Sequence, residues 1–299
     1  MGDYDRVYIV PQYSEVEHGE IDLTTDFFNT LLELPIISSP MDTVSKITML
    51  NAMRAYGKYG CFGIHHRYCD YSVLKKAIID GGIAVAPSMD LKELECILKL
   101  NGYNIARLDV AHGDTKRNLI FCRQLKSMGW NVIGGNICTL SAAEDYLKIG
   151  VNYIPVGIGS GSVCLTRTVT GVGKPNYLAI PEIKKAFKDD IKIIADGGLR
   201  NTGDIAKAFA LGADYVMLGR MLAQTYEAEN DGIYSGMASG AALRRNGKSD
   251  FFIEGKSEIV EVNQSVSSLL DQIKDALEAT CYYTGSRSLK ELIGKYEIE

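Results

Sequence analysis

Cys164 closes a glycine-rich run, Gly157-Ile158-Gly159-Ser160-Gly161-Ser162-Val163-Cys164, and Thr166 and Arg167 follow almost at once. Glycines allow positive φ and a close approach of backbone to a ligand. A cysteine at the end of such a loop is badly placed for packing and well placed to attack an electrophile, provided that neighbouring amides or charge stabilise its thiolate. Spacing alone fits a tight turn with an incidental cysteine equally well.

A second cluster is Asp196-Gly197-Gly198. A carboxylate there can hold a ribose diol, and glycine amides beside it can bind phosphate. Gly219-Arg220 adds amides and a cation. Weaker signals are Asp109-Val110-Ala111-His112-Gly113, Gly134-Gly135-Asn136 and His65-His66-Arg67-Tyr68. The first reads as a helix cap or a catalytic carboxylate, and the last as a polar cluster or a solvated rim. Each ends an apolar run, and that convergence points to one pocket.

The elements that must position these residues are eight β-rich runs: Leu34–Ser38, Cys61–Ile64, Ile83–Ala86, Ile105–Val110, Asn131–Gly134, Tyr153–Val156, Ile191–Ala195 and Tyr215–Leu218. Most are near-continuous in apolar residues, as strands covered on both faces are. Helical patterns lie between them. Asp90 can cap a helix carrying Leu91, Leu94 and Leu98 and stopped by Gly102. Ser141 and Glu144 form a capping box before Ala143 and Leu147, with Gly150 as the stop. Asn201 to Gly212 carries Ile205, Ala208 and Phe209 at helical spacing. Strands alternating with helices give parallel units with right-handed crossovers. Eight of them predict an α/β fold, a single (β/α)8 barrel over residues 1–299, with an open doubly wound sheet as the alternative. Two segments are long for barrel connections, Gly159–Lys185 after the sixth strand and Ala223–Glu261 after the eighth. Both fall on the catalytic face of a barrel.

The 299 residues carry 32 basic and 37 acidic side chains, a net charge of −5, interspersed and without a basic stripe. That argues against nucleic acid as a partner. No apolar run approaches the roughly 18 residues that would span a bilayer. The N-terminus lacks a signal-peptide core, and Arg6 stands where a myristoylation signal wants Ser or Thr. The seven cysteines, Cys61, Cys69, Cys96, Cys122, Cys138, Cys164 and Cys281, show no C-x-x-C pair, and His18, His65, His66 and His112 show no metal-ligand spacing. A reducing cytoplasm without disulfides or zinc is the expectation.

Taken in order, Ser39-Pro40-Met41-Asp42-Thr43-Val44, Asp109 to Gly113, Gly134-Gly135-Asn136, Gly157 to Arg167, Thr170-Gly171-Val172-Gly173, Asp196-Gly197-Gly198, Val216 to Gly219 and Tyr234-Ser235-Gly236-Met237 make the chain resemble the IMP dehydrogenase / GMP reductase family along essentially its whole length. The Gly-x-Gly-x-Gly-Ser-Val-Cys-x-Thr-Arg run is the most specific carrier. The resemblance implies a (β/α)8 barrel, usually a homotetramer, whose loop cysteine, here Cys164, attacks C2 of a purine nucleotide. By the same resemblance Thr166 and Glu254 act with Cys164 in catalysis. Ser39, Met41, Ser162, Asp196, Gly197, Gly198, Gly219, Arg220, Tyr234, Gly236, Met237 and Gly255 would hold the nucleotide. His66, Asp109, Val110, Ala111, Asn136, Ile158 and Gly159 would line the nicotinamide cofactor, and K+ would sit on the carbonyls of Gly159, Gly161 and Cys164.

Within such a family, dehydrogenases oxidise IMP to XMP with NAD, and reductases convert GMP to IMP and ammonia with NADPH. Many dehydrogenases insert paired CBS modules between the second and third strands, where this chain has only residues 65–82. Dehydrogenases carry an Arg-Tyr pair in a mobile flap; between Met237 and Glu254 this chain reads ASGAALRRNGKSDFFI, without one. Glu254-Gly255-Lys256, Thr280 to Gly285 and Leu289-Lys290-Glu291-Leu292 resemble the reductases. Val10-Pro11-Gln12-Tyr13-Ser14 departs from the basic reductase stretch near the cofactor, and Ser39-Pro40-Met41 and His112 are closer to the dehydrogenases. The expectation is a cytoplasmic GMP reductase using NADPH, with NADH as the second option. A compact IMP dehydrogenase is the alternative. Cys164, Thr166 and Glu254 together speak against a non-catalytic nucleotide-binding relative. The expected partners are GMP or IMP, with no nucleic acid and no membrane.

Overall fold

The structure is a computed structural model that describes residues 2–68, 81–98, 103–247 and 253–299. Eight strands form the central sheet: β1 (Ile36–Ser38), β2 (Ile64–His65), β3 (Gly81–Val85), β4 (Tyr103–Leu108), β5 (Asn131–Ile133), β6 (Tyr153–Val156), β7 (Lys192–Asp196) and β8 (Tyr215–Leu218). All are parallel, in the order β1-β8-β7-β6-β5-β4-β3-β2. The sheet closes through Phe62, just ahead of β2. Phe62 accepts from Ser38 N–H at 3.0 Å and donates to the Ile36 carbonyl at 3.1 Å. Closure excludes the open doubly wound sheet. Each of the eight expected strands is present.

Helices cover the outside, and their ends follow local chemistry. Thr115 caps Lys116–Ser127 by accepting from Asn118 N–H, and Asn201 caps Thr202–Ala210 by accepting from Asp204 N–H. One expectation is corrected here: the helix Leu140–Lys148 is capped by Thr139, which accepts from Ala142 N–H, and Ser141 lies inside its first turn. The helix Leu91–Leu98 forms as expected, while its Gly102 stop and Cys69 lie outside the described residues.

The two long segments also resolve into elements. Gly159–Lys185 is not one loop: it contains the short helix Thr166–Thr170 and runs into the barrel helix Asn176–Phe187. Ala223–Glu261 contains an antiparallel ribbon, Ile233–Ser235 against Ser257–Ile259, and the helix Gly240–Arg245.

The barrel interior is filled from below. A hairpin, Thr25–Phe27 with Thr30–Leu32, inserts Phe27, which is fully buried with ring centroids 4.7 Å from Phe62, 5.0 Å from Tyr215 and 5.3 Å from Tyr153. Ile37, Ile105, Ile133 and Ile194 complete that inner layer. Side chains two residues apart on a strand share a face. Arg107, two residues beyond Ile105, and Asp196, two beyond Ile194, therefore turn polar groups toward the top of the same interior. A second apolar layer packs the helices onto the barrel.

The six cysteines among the described residues are free, and no His/Cys/Asp/Glu cluster there could hold a metal ion. No helix among the described residues is long and apolar enough to cross a membrane.

Candidate active site

A cavity of about 690 Å³ opens at the C-terminal ends of the strands. The loops after β1, β4, β6, β7 and β8 all contribute to its wall, together with the ribbon and Glu254-Gly255. In a parallel barrel the chain leaves every strand at this face, so residues far apart in sequence converge here.

Cys164 sits half-buried on the loop after β6. Its Sγ lies 3.2 Å from Thr166 Oγ1, and Thr166 donates to Glu254 Oε2 at 2.6 Å. Backbone pairing holds the segments in register. Leu165 N–H donates to the Glu254 carbonyl at 2.7 Å, and Lys256 N–H to the Val163 carbonyl at 2.9 Å. A thiol, a hydroxyl and a carboxylate in series can pass a proton between the cavity and the carboxylate while the sulfur acts as nucleophile. The other described cysteines lack this setting: Cys96 is exposed on the helix Leu91–Leu98, while Cys61, Cys122, Cys138 and Cys281 are buried, and burial raises the thiol pKa values of those four, Cys122 to about 12.

Asp196 ends β7 with 19 % of its side chain exposed, through the cavity. Burial raises its pKa above the ordinary carboxylate value, and Arg107 and Asn136 oppose that shift. Asn136 Nδ2 donates to Asp196 Oδ2 and to the Gly157 carbonyl, each at 2.8 Å. A carboxylate held this way can accept hydroxyl protons from a diol. Gly197 and Gly198 follow at φ of 84° and 79°, a left-handed turn that suits glycine.

Gly219 also needs its small size, because a Cβ there would lie 2.6 Å from the Tyr234 hydroxyl. Tyr234 is buried, and burial raises the pKa of its hydroxyl, keeping it protonated. Arg220 lines the cavity but is already ion-paired with Glu258 of the ribbon, a partner that spacing did not disclose. Asp109 is not a helix cap. Its carboxylate lies 3.4 Å from Arg67 Nε and 3.8 Å from Arg107 Nη1.

Of the residues expected in the site, all lie on the cavity wall except His66 and Ile158. His66 is buried with its ring 4.6 Å from His65, so the pair is neither a wall nor a solvated rim; Arg67 and Tyr68 face the cavity instead. Ile158 is buried behind the loop, where its carbonyl accepts from Arg167 Nε at 2.8 Å. His112 is exposed. Sequence reasoning missed Arg107 and Asp3. An arginine inside an apolar strand, on the face of Ile105, was a usable signal for the first. Asp3 gave none: it meets Arg167 only through the fold, accepting from both terminal guanidinium nitrogens and from Asn176 N–H.

Fold and cavity together define a class, the (β/α)8 barrels that carry a loop cysteine and strand-end carboxylates in one pocket at the C-terminal face. Within that class the chain belongs to the IMP dehydrogenase / GMP reductase family, whose domain matches residues 2–299. It is 32% identical to human GMP reductase 2 over 97% of this chain and 91% of that protein. It is 32% identical to a Phytophthora infestans GMP reductase over 97% of this chain and 88% of that one. An inosine-5'-monophosphate dehydrogenase of Borreliella burgdorferi is 29% identical over 97% of this chain and 91% of its own length. The family is one of oxidoreductases that act on purine nucleotides with a nicotinamide cofactor.

Proposed function

We propose that this protein is a GMP reductase that deaminates GMP reductively to IMP and ammonia with NADPH. The observation that carries the reading is the series Cys164 Sγ, Thr166 Oγ1 and Glu254 Oε2, at 3.2 and 2.6 Å. A carboxylate on the loop hydroxyl suits a step in which an amine must be protonated before it leaves. The absence of an Arg-Tyr pair between Met237 and Glu254 supports the same reading, since the dehydrogenase step needs an activated water.

In this mechanism Cys164 adds as thiolate to C2 of the purine. Glu254, through Thr166, delivers a proton to the C2 amine, which departs as ammonia and leaves the ring bound to sulfur. A reduced nicotinamide, when bound, supplies hydride to that carbon, and Cys164 then leaves as thiolate. The balance is one GMP, one hydride and two protons to one IMP and one ammonium ion. Asp196 would take the ribose hydroxyls. Gly198, Gly219, Ser162, Arg220 and Tyr234 would surround the phosphate. The cofactor would lie toward Asp109, Val110, Ala111 and Asn136, and Arg67, already ion-paired with Asp109, and Tyr68 line that end. K+ would be held by the carbonyls of Gly159, Gly161 and Cys164. The Gly161 carbonyl already accepts Cys164 N–H at 3.0 Å and keeps a second lone pair for an ion. We place the enzyme in the cytoplasm, as one barrel domain in a homotetramer.

A compact IMP dehydrogenase is the rival, favoured by Ser39-Pro40-Met41. Absorbance of the reduced cofactor decides between them. Consumption of NADPH or NADH with GMP, releasing ammonia, is the expected result. Continuous formation of reduced cofactor from IMP and NAD, with XMP as product, would overturn it.

A further inference from the structure

We infer that Arg107 is a positioning residue for nucleotide recognition: from inside the barrel it grips one oxygen of Asp196 together with Asn136, so that the other is presented to the ribose diol. The inference rests on the purine-nucleotide reading above.

Arg107 is 3 % exposed on the inner face of β4. A buried cation is costly unless its partners compensate it, and an apolar side chain would fill the same space at less cost. Its partners are specific. One terminal nitrogen donates to the Leu108 carbonyl and lies 3.8 Å from Asp109 Oδ1. The other donates to Asn136 Oδ1 at 2.5 Å and reaches Asp196 Oδ2 at 3.4 Å. The guanidinium thus lies between two carboxylates that would otherwise repel each other across the cavity floor.

Asn136 explains why the position matters. An amide can turn either its oxygen or its nitrogen toward Asp196. With Arg107 donating to Asn136 Oδ1, Nδ2 must face Asp196 Oδ2, as it does at 2.8 Å. Arg107 and Asn136 therefore hold the same carboxylate oxygen. Oδ1 makes no hydrogen bond among the described residues, and Asp196 lines the cavity with 19 % of its side chain exposed. The main chain of Asp196 is fixed as well, its carbonyl accepting from Ser160 Oγ at 2.6 Å and from Asn176 Nδ2 at 3.2 Å. An acceptor locked in this way meets a diol without first having to reorient.

The test compares GMP with 2′,3′-dideoxy-GMP by calorimetry. Wild-type protein should bind GMP at least about tenfold more tightly than the dideoxy compound, because the diol makes charge-assisted hydrogen bonds to Asp196. Arg107→Gln should cut that preference to within about threefold, close to the Asp196→Ala value, while dideoxy-GMP binding barely changes. Arg107→Lys keeps the cation but cannot span Asn136 and Asp196 together. It should lose less of the preference, and it stands in if the Gln variant does not fold. Equal weakening of both nucleotides would mark a merely structural arginine and overturn the inference, as would an unchanged preference. If wild-type protein binds neither nucleotide, the functional reading fails and this inference falls with it.

Discussion

The sulfur of Cys164 and the carboxylate of Glu254 are proposed to do different jobs, so their losses should differ in kind. Cys164→Ala removes the atom proposed to bond to C2 but none of the groups proposed for ribose and phosphate. Turnover should fall by more than a hundredfold, several kcal/mol of barrier, with GMP affinity largely kept. Steady-state rates and calorimetry on one preparation check this, and retention of more than about a hundredth of the wild-type rate excludes the thiol as nucleophile. Glu254→Gln keeps size and removes the ionisable carboxylate, 2.6 Å from Thr166, that is proposed to carry the proton. Ammonia release should drop sharply. The single-turnover burst of reduced cofactor from IMP and oxidised cofactor, which needs no amine protonation, should survive far better. Equal losses in both assays would assign Glu254 a structural role. Asp196→Ala should weaken GMP binding by roughly 1.5–3 kcal/mol, the range for hydrogen bonds to a charged group; unchanged affinity in a folded variant would remove Asp196 from the ribose site.

At the scale of elements, the loop after β6 is stabilised from two sides. The strand pairing of Val163 and Leu165 with Glu254 and Lys256 fixes its cavity side. On the other side Arg167 donates to the Ile158 and Lys174 carbonyls at 2.8 and 2.7 Å, clamping both ends of the loop, and Asp3 holds Arg167 in turn. Asp3→Ala leaves that guanidinium, 27 % exposed, without its carboxylate. Stability should fall by about 1–3 kcal/mol, the cost of unpairing a partly buried charged group. Thermal unfolding reads it, and an unchanged midpoint would show that the contact is worth no more than a surface ion pair. The elements were legible where their signals were local: apolar runs for strands, and Asn201 as a helix cap. Thr139 replaced Ser141 as a cap because two hydroxyl residues stand at that helix start, and only backbone geometry chooses between them.

The whole molecule depends on its closed barrel, and closure buries His66 beside the β1–β2 seam. Burial drives its pKa down from 6.5 to about 3, so the folded protein holds it neutral. Above pH 6.5 the unfolded chain is neutral there too, and this group leaves stability unchanged. Below about pH 6.5 the unfolded chain takes up a proton that the folded state refuses until near pH 3. Stability should therefore decline with falling pH through that window, by up to about 1.4 kcal/mol per unit from this residue. His66→Gln should flatten the decline between pH 6.5 and 4 in unfolding midpoints, while parallel curves would show that His66 titrates normally in the folded protein.

Strand and helix periodicities and the order of the glycine-bearing strand ends are local properties of the chain. From them the eightfold βα alternation, the cysteine loop and the carboxylates were already readable. In a parallel barrel every strand end reaches the same face, so that pattern was enough to gather Cys164, Asp109, Asn136 and Asp196 around one cavity. What the periodicity could not carry were contacts between residues far apart in sequence. Whether Arg220 stands free or pairs with Glu258, whether His66 faces a ligand or the core, and why an arginine belongs inside β4 depend on closure and on side-chain reach across the barrel. Such pairings leave no period in the sequence, because each is set by distances that exist only once the sheet has closed.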